Sequence, residues 1–282
     1  MKTIHTIAEL RSTLAAERAA GKRIGLVPTM GNLHTGHLTL VHQAAASADI
    51  IVATIFVNPL QFGAGEDIER YPRTLAEDRD KLTEAGCHYL FAPDDAEMYP
   101  NGRDNQTEVI VPKISTIHCG ASRPGHFEGV ATVVCKLFGI VQPDMAVFGE
   151  KDFQQLQVIR QMTADLFLPV DVQGAAIARN EHGLALSSRN GYLSDAELDI
   201  APALNRALRE TKAAIEAGRR DFSTLEESAQ QALEAAGFKR DFFNIVRQQD
   251  LLAAQPDDTL LVILAAAHLG RARLIDNIVI EL

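Results

Sequence analysis

The sequence predicts an α/β fold: a doubly wound, Rossmann-like parallel sheet with a smaller C-terminal α+β domain. Three observations lead there. Apolar runs alternate with amphipathic segments through the first part of the chain, the pattern of repeated βαβ units. Those runs are continuous and β-branched, as in "DIIVATIFV" (49–57), which suits strands covered on both faces. After about residue 177 the order changes to helices followed by strands. The 282 residues accommodate two domains, expected at 1–176 and 177–282, the second the smaller.

Taken in order, "RIGLVPT" (23–29) reads as a buried strand and "GHLTLVHQAAASA" (36–48) as a helix. The helix shows one apolar face through Leu38, Val41, Ala44 and Ala45. With 49–57 these make one βαβ unit. "TLAEDRDKLTEAG" (74–86) is a helix, "HYLFAP" (88–93) a strand, and "HFEGVATVVCKLFGIVQP" (126–143) a helix stopped by Pro143. "MAVFG" (145–149), "KDFQQLQVIRQMTADL" (151–166) and "VDVQGAAI" (170–177) give strand, helix, strand. A polar loop (182–194) ends at Ser194, a plausible N-cap. Helices near 195–217 and 223–236 come next, then strands at 241–248, 258–270 and 272–282 joined by short turns.

Composition narrows the function classes. The chain is 46% hydrophobic and carries a formal charge of −10, which suits a soluble globule and disfavours a nucleic-acid surface. No run approaches the ~18 apolar residues of a membrane span, and the start lacks a signal-peptide core. Three cysteines without CxxC spacing argue for thiols in a reducing compartment, so the expected location is cytoplasmic.

Four stretches carry candidate chemistry. "PTMGNLHTGH" (28–37) joins a strand to a helix N-terminus, where free N–H groups and the helix dipole favour an anion. Gly31 and Gly36 allow close backbone approach, and His34 and His37 can donate to phosphate oxygens. Alone, the pair also reads as two surface histidines or as half of a metal site, the last disfavoured because no cysteine or carboxylate set stands at ligand spacing. "FGEKDFQQL" (148–156) also leaves a strand end; Glu150 and Asp152 match the helix dipole, but Lys151 does not. "LSSRN" (186–190) sets two hydroxyls and a guanidinium in a loop, or is a solvated interdomain turn. "FVNPLQFG" (56–63) ends a strand with Asn58 and Gln61, amides suited to hydroxyl or carboxylate recognition, or turn chemistry around Pro59.

Together with "YPRT" and "PGHFEGV", these stretches resemble the pantoate–β-alanine ligase family of the nucleotidylyltransferase-like superfamily, in the same order over nearly the whole chain. "PTMGNLHTGH" is similar to the family's HxGH loop, which many adenylyltransferases share; the GEKDxQQ and SSRN segments are more specific. The resemblance implies that ATP and pantoate form pantoyl adenylate and pyrophosphate. β-Alanine then releases AMP and yields pantothenate, a coenzyme A precursor. It implies ATP contacts from Met30, Gly31, Asn32, Leu33, His34, Thr35, Gly36 and His37. Further ATP contacts are implied from Gly149, Glu150, Lys151, Asp152, Ala178, Leu186, Ser187, Ser188 and Arg189. His34, His37, Lys151 and Arg189 take catalytic roles by the same resemblance, His37 as proton donor. Gln61 and Gln155, helped by Asn58, would hold pantoate. Mg²⁺ is expected on the phosphates; Glu77 and Asp78 occupy a region that contacts metal in relatives, but no protein ligand is assigned. A homodimer without nucleic-acid or membrane partners is implied as well.

Overall fold

The β-branched runs become interior strands. The computed structural model describes residues 1–63 and 65–282. In it β1 (Lys2–Ile4), β2 (Ile24–Thr29), β3 (Ile50–Ile55), β4 (Tyr89–Phe91), β5 (Met145–Gly149) and β6 (Asp171–Ala175) form one sheet, ordered β1-β4-β3-β2-β5-β6. Every pairing in this sheet is parallel. Ile24, Leu26, Ile51 and Val52 of the central strands have no exposed surface, which explains why their runs do not alternate with polar residues.

The chain winds outward from β2 through β3 and β4, then lays β5 against the other side of β2. That reversal opens a crevice at the carboxyl ends of β2 and β5, where ligands bind in open α/β sheets. The longer helices between β2 and β6 are Thr35–Ala45, Leu75–Glu84, His126–Val141 and Phe153–Asp165. In His126–Val141 the buried Phe127, Val130, Val134, Leu137, Phe138 and Val141 recur at helical spacing. Its end is Gln142, left-handed at φ 49°, ahead of Pro143.

Two elements at the start were not anticipated: β1 and the helix Ile7–Ala19. β1 is three residues long, and the helix buries only Leu10 and Leu14. Such a narrow apolar stripe leaves little periodicity to read.

The chain divides into two compact units, Met1–Glu150 with Gln155–Ala176, and Lys151–Gln154 with Ile177–Leu282. The second contains the helices Asp195–Ile200, Ala203–Glu216 and Phe222–Ala235. Its antiparallel sheet is β7 (Lys239–Arg247), β8 (Leu260–Leu269) and β9 (Ala272–Glu281). The helix expected over 195–217 is two helices, interrupted before Pro202, whose ring removes a donor. The link from β7 to β8 is not a short turn: residues 248–259 include Leu251 at φ 57°, and Ala253 bridges back to Val246 of β7. Leu204, Leu208 and Ile215 pack with Phe243, Ile245, Leu261 and Ile263 in this unit's own core. Among the described residues no helix is long and apolar enough to cross a membrane.

Candidate active site

The loop after β2 is shaped by its backbone and then fastened. Gly31 and Asn32 have φ of 83° and 51°, a left-handed pair that turns the chain at the sheet edge. A Cβ on Gly31 would lie 3.1 Å from both Asp78 Oδ2 and Ile55 Cγ2, so the position is tight as well as left-handed. Asp78, fully buried on the first turn of Leu75–Glu84, holds the loop. Its Oδ2 accepts from Asn32 N–H at 2.8 Å and its Oδ1 from Leu33 N–H at 2.7 Å. Thr74 Oγ1 donates to Oδ2 at 3.0 Å. Lys81 Nζ donates to the Leu33 carbonyl at 2.8 Å. On the strand side, Thr29 Oγ1 donates to the Thr54 carbonyl at 2.7 Å and accepts from Gly31 N–H at 3.2 Å.

This fastening delivers His34 to the N-cap of Thr35–Ala45, with Thr35, Gly36 and His37 in its first turn. The His34 and His37 rings lie 4.1 Å apart at 41°. His34 N–H donates to His37 Nδ1 at 3.2 Å, so the neutral His37 ring carries its proton on Nε2. Two half-buried imidazoles thus flank a helix N-terminus, an arrangement that attracts a phosphate.

Beside the loop is a buried amide cluster. Asn58, 1% exposed, caps the short turn Pro59–Gln61. Its Oδ1 accepts from Tyr99 O–H at 2.6 Å and Leu60 N–H at 3.3 Å; its Nδ2 donates to the Gly129 carbonyl and to Gln61 Oε1, both at 3.1 Å. All four hydrogen-bonding positions of this amide are therefore filled by protein. Gln61 Nε2 in turn donates to Met30 Sδ at 3.0 Å. Met30, Asn58 and Gln61 are brought together, with Asn58 behind Gln61.

Gly129 makes this possible: a Cβ there would lie 2.2 Å from the Leu60 carbonyl oxygen and 2.6 Å from Gln61 N. The helix His126–Val141 can approach the turn only through glycine. The Gln61 carbonyl accepts from His126 Nδ1 at 2.8 Å and from Arg123 Nη2 at 3.3 Å. Arg123 is clamped by Glu66 through Nε at 2.7 Å and Nη2 at 2.6 Å. Burial works to raise the Glu66 pKa, but the hydrogen bond and charge of Arg123 outweigh it and hold the carboxyl below its ordinary value.

Gly149 and Glu150 are half-buried at the end of β5, and Gln155 is half-buried on the first turn of Phe153–Asp165. The second unit holds the other candidates. Lys151 Nζ is 3.4 Å from Asp152 Oδ2, and the Lys151 carbonyl accepts from Asn277 Nδ2 at 3.0 Å. A narrow hairpin carries 178–186: the Ala178 carbonyl accepts from Leu186 N–H at 2.9 Å. Arg179 at its root forms a two-pronged bond with Asp276 of β9 at 2.6 and 2.8 Å. Beyond the hairpin, Ser187 caps a short helical turn that holds Ser188 and Arg189, accepting from Arg189 N–H at 3.3 Å.

Sequence reasoning missed several supports: Asp78 as the loop's anchor, Tyr99, Gly129, the Arg123–Glu66 clamp, and Arg179–Asp276. A glycine inside an otherwise apolar helix is the signal for Gly129; the long-range partners leave none. Among the described residues no group of three or more His, Cys, Asp or Glu could hold a metal ion.

Comparison with known proteins gives a consistent result. The model of the pantoate–β-alanine ligase family matches residues 2–279. A pantothenate synthetase of Ectopseudomonas mendocina is 59% identical over 282 residues, covering 100% of this chain and 99% of the relative. One of Pseudomonas fluorescens is 59% identical over 278 residues, covering 99% and 98%. The crystal structure of pantothenate synthetase from Thermus thermophilus superposes with a TM-score of 0.92 at 47% identity, covering 99% of each chain. That of pantoate–β-alanine ligase from Francisella tularensis, complexed with beta-gamma ATP and β-alanine, has a TM-score of 0.83 at 33% identity over 99% and 97%.

Proposed function

The chain belongs to the pantoate–β-alanine ligase family, and we propose that it joins pantoate to β-alanine in two half-reactions, with the residues above in stated roles. In the first, a pantoate carboxylate oxygen attacks the α-phosphorus of ATP and pyrophosphate departs. In the second, the β-alanine amine attacks the acyl carbon of the adenylate; AMP leaves and the amide forms.

The anchored loop with its two imidazoles at a helix N-terminus is the observation that carries this reading. Adenylation needs in-line placement and neutralisation of charge on the α-phosphate and the leaving pyrophosphate. Met30 to His37, Gly149 and Glu150 line the nucleotide. His34 binds phosphate, and His37 donates from Nε2. Lys151 and Asp152, with Ala178 and Leu186 to Arg189, supply the remaining ATP contacts. Lys151 and Arg189 carry the positive charge. Gln61 and Gln155 hold pantoate, and Asn58 contributes by fixing Gln61.

ATP enters as its Mg²⁺ complex, the ion being part of the substrate. Asp78 does not fit as a ligand: it is buried and already accepts three hydrogen bonds. The odd cysteine count supports a cytoplasmic setting. The homodimer is part of the same reading, and the mass in solution checks it.

Pantoate-dependent exchange of labelled pyrophosphate into ATP, without β-alanine, is the test. Exchange is expected in the parent. Lys151→Ala should lose its rate far more than its ATP affinity, because charge is felt most at the five-coordinate phosphorus. Absence of exchange in the parent, or a Lys151→Ala variant that binds ATP poorly but reacts normally once saturated, overturns the assignment.

A further inference from the structure

Two backbone groups decide which way the Asn58 amide faces. Leu60 N–H can only donate, so the atom it meets is Oδ1; the Gly129 carbonyl can only accept, so the atom it meets is Nδ2. With Asn58 fixed, the Gln61 atom facing Nδ2 must be its oxygen. The Gln61 amide then has its nitrogen turned outward, towards Met30 Sδ. The backbone hold on Asn58 Oδ1 is long at 3.3 Å; the short bond to that oxygen is the one from Tyr99 O–H at 2.6 Å.

Tyr99 is itself held. It is 4% exposed, its ring lies 6.0 Å from that of Phe56, and Lys136 Nζ sits 4.3 Å above its centroid while donating to the Met98 carbonyl at 2.8 Å. Burial, reinforced by the Asp95 carboxylate, raises its pKa well above that of an ordinary phenol, with Arg103 opposing. The hydroxyl therefore keeps the proton it donates.

We propose that Tyr99 is a positioning residue for the acid substrate: through Asn58 it locks the Gln61 amide so that Gln61 meets the ligand as a hydrogen-bond donor. The ligand must then offer an acceptor oxygen at that point, as a carboxylate or hydroxyl does. Without the Tyr99 hydroxyl, Asn58 loses its shortest restraint: Oδ1 keeps only its long bond to Leu60 and Nδ2 its bond to the Gly129 carbonyl, so the amide is held less tightly and Gln61 with it. This rests on the reading of Gln61 as a pantoate residue.

The test is a double-mutant cycle with a spectroscopic control. Tyr99→Phe should raise the pantoate KM about 3- to 10-fold, the effect of one hydrogen bond. The kcat and the ATP KM should stay unchanged. In a Gln61→Ala background the same substitution should lower kcat/KM for pantoate no further. Equal losses in both backgrounds, or a loss that falls on kcat or on ATP, overturns the relay. Gln61→Ala alone tests the pantoate reading: an unchanged pantoate KM refutes that reading. Independently of any substrate, the side-chain amide ¹⁵N resonance of Gln61, assigned by its loss in Gln61→Ala, should shift in Tyr99→Phe. A resonance that does not move overturns the relay whatever Gln61 binds.

Discussion

Replacing Asp78 by Asn tests whether the histidine loop owes its shape to one buried carboxylate. The change is isosteric, so packing is kept and hydrogen bonding alone is altered. Asp78 accepts from two backbone N–H groups at 2.8 and 2.7 Å and from a hydroxyl at 3.0 Å. The amide keeps one oxygen. Its best orientation retains Asn32 N–H and the Thr74 hydroxyl, and turns an NH₂ against the N–H of buried Leu33. One buried donor without an acceptor costs about 1–3 kcal/mol, and the two retained bonds lose their charge assistance. The sum is roughly 2–4 kcal/mol, read locally as a loop that opens about 30- to 1000-fold more often. Amide exchange at Asn32 and Leu33 should speed up by that factor without nucleotide. If both amides exchange at the parent rate in Asp78→Asn, the anchor argument is wrong.

Gly129→Ala should destabilise the protein by about 1–3 kcal/mol, because the new methyl meets backbone rather than a flexible side chain. Kinetics should show a higher pantoate KM with the ATP KM little changed; an unaltered melting temperature would refute the contact. Glu66→Gln tests the clamp on Arg123. The folded Glu66 pKa lies below its ordinary 4.5, so the pair stabilises above that pH and its contribution is lost as pH falls through the folded value. Urea unfolding should find the variant weaker near neutrality and the gap closing below pH 4.5. A gap that is the same at both pH values would show that the pair contributes nothing through ionisation.

The parallel sheet was legible because its strands are covered on both faces, which makes 24–27 and 50–53 unbroken apolar runs. The helix Ile7–Ala19 was not, because two buried leucines make no stripe. The loop with His34 and His37 could be seen as a strand-to-helix junction, since glycines and imidazoles are local signals. Its anchor could not: Asp78 is 45 residues from Leu33 in sequence and reads as an ordinary acid in the first turn of a helix. Tyr99 is 41 residues from Asn58, and Asp276 is 97 from Arg179. Sequence patterns show which side chains could touch a ligand. The residues that hold those side chains still come from distant segments, and only the fold pairs them.

Ion-pair geometry separates cations locked into the scaffold from a cation held only by its sequence neighbour. Arg123 and Arg179 each meet a carboxylate through two short bonds, to Glu66 and Asp276. A planar guanidinium locked in this way has its charge matched in place, and moving it would strand the buried carboxylate of Asp276, 4% exposed. Such arginines orient backbone: Arg123 holds the Gln61 carbonyl and Arg179 that of Gly183. Lys151 is different. Its contact is with its own sequence neighbour at 3.4 Å, and the Asp152 side chain is 44% exposed. The Lys151 side chain is only 18% exposed, but its partner's end of the pair is open to water and the contact is single and long, so it contributes less than a two-pronged pair. Turning the Lys151 ammonium from Asp152 to a phosphate therefore costs less than turning Arg179 from Asp276. In a chain of net charge −10, this distinction matters more than the count of lysines and arginines. It is why Lys151, and not Arg123 or Arg179, is the cation expected to answer the charge that builds up on the α-phosphate.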